Sequence, residues 1–155
     1  MKPIVALSYF HRKIGPLVFY SYPESMLDEQ LSARIANIMD QTVSEGFFTH
    51  SFEKNNSNNY YFEIHSDWAR GKKEMFLLSI IINKPITPTL EKIIQPICLD
   101  FAIQIKNEEN TFKAIYIDQM DSRSEKDQSE IKLYSNGLKE RIKHFYIQLL
   151  QSLQT

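Results

Sequence analysis

The stretch Met75-Phe76-Leu77-Leu78-Ser79-Ile80-Ile81-Ile82 decides the fold. It is the most apolar run in the chain, interrupted only by Ser79. It falls far below the ~20 residues that a membrane-spanning helix needs. In a strand, successive side chains point to opposite faces. Large apolar groups here therefore project from both faces. Each one left in water forfeits about 1.5–3 kcal/mol. Both faces must be covered, so the spacing predicts a central strand with helices on either side.

Upstream, Ile4 to Phe10 reads as a strand of β-branched and aromatic residues, and His11 to Pro16 as a basic turn closed by Gly15-Pro16. Leu17 to Tyr22 is a second strand ending at Pro23. Gly15 permits the turn, and Pro16 starts the next strand without a backbone donor. Ser25 then reads as a helix N-cap with Asp28 as its capping-box partner. Leu27, Leu31, Ile35, Ile38 and Met39 recur at helical spacing, and Gly46 ends that helix. Phe47 to Phe52 reads as a short aromatic strand, Lys54 to Asn59 as an Asn-rich hairpin loop, and Tyr60 to His65 as a strand with one wetter face. Ser66 to Lys73 is a polar, basic connection into the central strand.

Downstream, Thr87-Pro88 is a cap followed by proline at the first helical position. Leu90, Ile93, Ile94, Ile97, Phe101 and Ile105 keep helical spacing, and Pro96 inside the pattern should kink or split the helix. Thr111 to Ile117 is compatible with a short strand or with more helix, and Asp118 to Glu130 reads as a mobile charged link. Ile131, Tyr134, Leu138, Ile142, Phe145, Leu149 and Leu153 form the stripe of a long final helix. The order is β-β-α-β-β-β-α-α in one domain spanning 1–155. It predicts a mostly antiparallel sheet of about five strands, the last beside the first through a right-handed crossover. One helix covers one face and two cover the other.

Composition narrows function. The 155 residues are 43% hydrophobic and 24% charged, ordinary for a globular protein. Eighteen Lys and Arg against nineteen Asp and Glu leave a net charge of −1, without the basic excess expected of a nucleic-acid binder. The lone Cys98 lies in an apolar helical pattern and reads as a buried, inert thiol of a reducing compartment, so a cytoplasmic location is expected. Nothing reads as a signal peptide, a membrane span or a lipidation site, so membrane contact is expected only through partners.

The chemistry-bearing residues do not assemble in sequence. His11, His50, His65 and His144 lack metal-ligand spacing, and His65-Ser66-Asp67 holds the letters of a triad on adjacent residues that point apart. The four glycines are scattered, so no phosphate loop is expected. Catalytic residues, cofactors and metals are accordingly expected to be none, with no enzyme activity of the chain's own. Arg12, Lys13, Arg70, Lys72 and Lys73 sit on two loops whose relation the sequence leaves open. The aromatics of the outer strands, Phe47, Phe48 and Phe52 on one and Phe19, Tyr20 and Tyr22 on the other, read either as partner-binding edges or as parts of the domain's own core.

At the first hairpin the likeness to a known group is sharper. Ala6-Leu7-Ser8-Tyr9-Phe10-His11, Gly15-Pro16-Leu17-Val18-Phe19-Tyr20 and Tyr22-Pro23-Glu24 resemble the opening of the nitrogen permease regulator-like longin proteins, relatives of folliculin and the DENN-type longins. The close match covers the first hairpin; beyond it the similarity is one of pattern. The resemblance implies an α/β (α+β) longin, profilin-like fold. Those relatives carry an aromatic-x-Arg before the central strand, whose arginine serves as a finger in GTP hydrolysis by a partner GTPase. Trp68-Ala69-Arg70 stands here, with longer spacing to the strand and with Lys72 and Lys73 following. A solvated loop arginine is the other reading of Arg70. The relatives' downstream domains, and the coiled coil and anchor of SNARE longins, have no counterpart in this sequence. A roadblock-type domain would begin with a helix, whereas this sequence begins with a strand.

The resemblance thus implies a non-catalytic module that binds or regulates a small GTPase in membrane traffic or nutrient signalling, alone or paired with another longin or roadblock-type domain. The expected contact residues are His11, Arg12, Lys13, Gly15, Pro16, Phe47, Phe48, Phe52, Trp68, Arg70, Lys72 and Lys73, with Arg70 as the possible arginine finger acting in trans. The alternatives are a small-molecule sensor with a cavity at Ile93, Ile97 and Phe101, and a structural subunit of a tethering or coat assembly.

Overall fold

A computed structural model describes residues 2–41, 44–52 and 54–154. Five strands, β1 (Ile4–His11), β2 (Gly15–Tyr22), β3 (Gly46–Ser51), β4 (Asn56–His65) and β5 (Lys73–Ile82), combine with three helices, α1 (Glu29–Asn37) between β2 and β3, and α2 (Pro88–Asn107) and α3 (Glu125–Leu153) after β5. A 3-10 turn, Ile38–Gln41, follows α1, and a kinked 3-10 segment, Thr111–Ser122, joins α2 to α3. The fold is α+β, with one sheet in the order β2-β1-β5-β4-β3 and every neighbouring pair antiparallel.

β5 is central, as its two apolar faces require. Leu77 and Ile81 pack with Ala6, Tyr61, Ile35, Ile38 and Met39 beneath α1. Phe76, Leu78, Ile80 and Ile82 pack with Val5, Leu7, Phe62 and the α2 and α3 side chains on the other face. All six of these β5 side chains are at most 2% exposed. The first and last strands do adjoin, but antiparallel, so the right-handed parallel crossover is not what joins them. Instead α1 connects β2 to β3, the two edge strands, which four antiparallel steps leave parallel to each other.

Several boundaries depart from expectation. Asp28, not Ser25, caps α1: its Oδ1 accepts the Leu31 N–H at 2.8 Å, while Ser25 sits at φ 67° in the preceding turn. The helix ends at Asn37, and Gly46 opens β3 rather than closing the helix; residues 42 and 43 lie outside the described residues. The Asn-rich segment is strand, not loop, from Asn56 on. Asn56 is held on both sides, donating to the Lys84 carbonyl at 2.8 Å and accepting from the Ser51 hydroxyl at 2.9 Å. Ser57, Asn58 and Asn59 are fully buried. The wetter face of β4 is limited to its end, since Tyr61 is buried under α1 and only Glu63 and His65 reach solvent.

Pro96 does not split α2, which runs unbroken through it. Its start is as expected, with the Thr87 hydroxyl accepting the Leu90 N–H at 3.2 Å and Pro88 at the first position. The charged link is structured. The 3-10 segment runs to Ser122, Ser124 caps α3, and the Gln128 amide donates to the Met120 and Arg123 carbonyls at 3.0 and 2.9 Å. No helix among the described residues is long and apolar enough to cross a membrane.

Candidate functional site

Antiparallel pairing brings the β1–β2 turn and the β4–β5 loop to the same end of the sheet, since Tyr9 pairs with Phe76 and His65 with Lys73. An open groove of about 760 Å³ lies there. Arg12 comes from the first loop, Arg70 and Gly71 from the second, and Lys73 from the start of β5. Phe10, Met75 and Ala69 supply the apolar wall, and Glu63 and Glu74 two carboxylates. Arg12 and Arg70, from the two basic loops, therefore share one groove with Lys73, whereas Lys13 and Lys72 do not line it.

The turn that carries Arg12 is held by His11. The imidazole is 6% exposed, and its Nδ1 accepts the backbone N–H of Lys13 at 3.1 Å and of Ile14 at 3.2 Å. With Nδ1 occupied as acceptor, the ring proton sits on Nε2, which faces Asp118 Oδ2 at 3.1 Å. His11 is thus internal bracing rather than contact surface. Gly15 closes the turn at φ 96°, in the left-handed region that suits glycine. Lys13 and Ile14 point to solvent at its tip.

The loop that carries Arg70 is held by Ser66. The Ser66 hydroxyl accepts the N–H groups of Trp68 at 3.3 Å and Ala69 at 3.1 Å and donates to Glu74 Oε2 at 2.7 Å. Lys72, at φ 63°, donates its N–H to the Ala69 carbonyl at 3.0 Å to close the loop. Trp68 is anchored, not presented. Its ring meets Phe112 at 5.5 Å and Tyr116 at 5.1 Å edge-on, and the Arg123 guanidinium lies 3.9 Å from its centroid. That stacking is a cation–π contact. Arg70 by contrast is exposed. Among the described residues neither Arg12 nor Arg70 has a hydrogen-bond or ion-pair partner, whereas Lys73 pairs with Glu63 at 3.7 Å.

Glu74 is the residue that the sequence reading missed. Its carboxylate is buried and accepts from Ser66 and from the Tyr116 hydroxyl. Burial, with Glu74 beside it, pushes the Tyr116 hydroxyl well above its ordinary value. The letters His65-Ser66-Asp67 do not make a triad: His65 and Asp67 pair with each other in solvent at 2.8 Å, while Ser66 turns inward to Glu74.

The edge aromatics stand apart from the groove. Phe47 packs on Tyr60 at 4.4 Å on the α2 face, while Phe48 and Phe52 pack on the α1 face, with Arg34 5.2 Å from the Phe52 ring. On β2 a bulge leaves Phe19 unpaired between Val18 and Tyr20, so Leu17, Phe19, Tyr20 and Tyr22 all turn to the α2 and α3 face. Tyr22 meets Tyr146 edge-on at 5.2 Å. All are half-buried: these rings chiefly fill the domain's own core. Ile97 and Phe101, the expected wall of a ligand cavity, are packed, with Phe101 5.3 Å from Phe145. No three His, Cys, Asp or Glu among the described residues are placed to hold a metal. No family model and no curated protein matches the chain.

Proposed function

We propose that the chain is a longin-type interaction module of the cytoplasm that docks a small GTPase at the loop end of its sheet. One observation carries this reading: Arg12 and Arg70, each without a hydrogen-bond or ion-pair partner among the described residues, line the same groove, each on a loop braced from behind. Unpaired guanidiniums suit recognition of phosphate or carboxylate groups, and the braced loop backbones that carry them need little ordering on binding. The strand order β2-β1-β5-β4-β3, with α1 alone on one face, is consistent with a longin assignment, as are the opening-hairpin residues. In this reading Arg70 reaches the nucleotide of the bound GTPase in trans and Arg12 grips an acidic group beside it. Regulation of membrane traffic or nutrient signalling follows from the resemblance at the first hairpin. The test is affinity capture of small GTPases in both nucleotide states on the immobilised chain. Capture lost on Arg12→Ala and Arg70→Ala supports the reading; no capture in either state ends it.

A further inference from the structure

β1 and β5 pair with Tyr9 opposite Phe76, so the chain beyond His11 and the chain before Lys73 leave the sheet at the same end. The tips of these two loops carry lysines, Lys13 on the first and Lys72 on the second. Both are exposed, and neither lines the groove that holds Arg12 and Arg70. Next to Lys13 stands Ile14, an isoleucine that is 66% exposed.

Ile14 is not exposed through looseness of the turn. Its N–H donates to His11 Nδ1 at 3.2 Å, as that of Lys13 does at 3.1 Å, and Gly15 follows at φ 96°. Lys72 is held likewise, its N–H donating to the Ala69 carbonyl at 3.0 Å. Two braced loops thus hold an apolar side chain and two ammonium groups outward at one end of the sheet. The carboxylates beside these loops are already engaged: Glu63 pairs with Lys73, Asp67 with His65 and Asp118 with His11. Asp121 and Glu125 flank Arg123, which stacks on Trp68 toward the helical layer. Among the described residues the side chains of Arg12, Lys13, Arg70 and Lys72 have no hydrogen-bond or ion-pair partner. The whole chain carries a net charge of −1, so the remainder without these four cations is acidic. An anionic surface therefore attracts this end and repels the rest, which sets one direction of approach.

We propose that these loop tips seat the chain directly on a membrane surface bearing anionic lipid headgroups. Ile14 enters the headgroup layer, Lys13 and Lys72 lie within it, and Arg12 and Arg70 stand behind them. An ammonium group is a compact, hydrated point charge that suits a diffuse field of headgroups, whereas a planar guanidinium suits a fixed acceptor. Each cation held near such a surface strengthens binding about fivefold. A projecting apolar side chain completes the seat, because the boundary between headgroups and acyl chains is soft enough to admit it. The seat depends on Lys13, Ile14 and Lys72, which the groove does not use, so it stands apart from the GTPase reading.

Co-sedimentation of the full chain with vesicles, with no GTPase present, tests it. The chain should bind vesicles of phosphatidylcholine and phosphatidylserine in equal parts and not vesicles of phosphatidylcholine alone, and binding should weaken as salt rises. Ile14→Ser should weaken it about tenfold, and Lys13→Gln and Lys72→Gln about fivefold each, all with unchanged circular dichroism. Lys132→Gln, which removes the same charge from an exposed position on α3, should leave binding as it is. Ile14→Ser should also leave any capture of a GTPase unchanged. No binding to the mixed vesicles overturns the proposal, and so does equal loss from Lys132→Gln and Lys13→Gln. Binding that Ile14→Ser leaves intact overturns it too, and would make the tips a patch for an acidic protein.

Discussion

The Tyr116 hydroxyl donates a 2.6 Å hydrogen bond to Oε2 of Glu74, tying the 3-10 segment between α2 and α3 to the start of β5. The same oxygen accepts from Ser66 at 2.7 Å. A buried carboxylate is tolerated only when hydrogen-bonded, and these two donors also fix the loop that carries Arg70. Tyr116→Phe should therefore lower the unfolding free energy by about 1.5–3 kcal/mol, the usual worth of a hydrogen bond to a charged group. Ser66→Ala should act in the same direction, and the double variant should depart from the sum because both act on one oxygen. Urea unfolding of the three proteins checks this; additive losses would show that Glu74 does not couple them.

Trp68 and Arg70 sit two residues apart and should behave oppositely. Trp68→Ala removes the ring packed between Phe112, Tyr116 and Arg123, and should cost about 3 kcal/mol of stability. Arg70→Ala removes an exposed side chain without a hydrogen-bond or ion-pair partner among the described residues, and should stay within about 0.5 kcal/mol of the wild type. Thermal or urea unfolding separates the two, and a large loss from Arg70→Ala would make it structural.

Alkaline pH should destabilise the fold. Burial, reinforced by Asp118, pushes the Tyr9 hydroxyl up to about 12, and burial with Glu63 nearby does the same for Tyr61. In the unfolded chain both ionise near an ordinary value of about 10. Between these values the folded state binds more protons than the unfolded one, so stability falls as pH rises. It should be complete below about pH 10 and decline through about pH 12. Urea midpoints across this range check the sign; a midpoint that stays constant instead would place both hydroxyls in solvent.

Cys98 is fully buried, and burial pushes its thiol far above the ordinary range. The thiolate is the reactive form. A thiol-specific reagent should therefore modify it only at the rate of global unfolding, and rapid labelling of the native protein would contradict its place on the buried face of α2.

What could be read in the sequence was whatever local pattern decides. Met75 to Ile82 carries its own demand for two covered faces, and Thr87-Pro88 carries its own cap. The Asn56 to Asn59 segment could not be read so, because it is strand only through pairing with β3 and β5, against the turn preference of asparagine. The Thr111–Ser122 segment likewise takes its shape from Trp68 and Glu74, which are distant in sequence. Arg12 and Arg70 were each visible as loop cations, but their meeting in one groove depends on the β1–β5 register. Glu74 looked like an ordinary charge at a strand end; nothing local announces that Ser66 and Tyr116 converge on it.

The most direct test is a binding titration of purified small GTPases, in the diphosphate state and with a non-hydrolysable triphosphate, against the wild type and the Arg12→Ala/Arg70→Ala double variant. The account predicts binding in one nucleotide state and a loss of about a hundredfold in the double variant, some 2.7 kcal/mol across two guanidiniums. Equal affinity of the two proteins, or no binding to any small GTPase in either state, would contradict it.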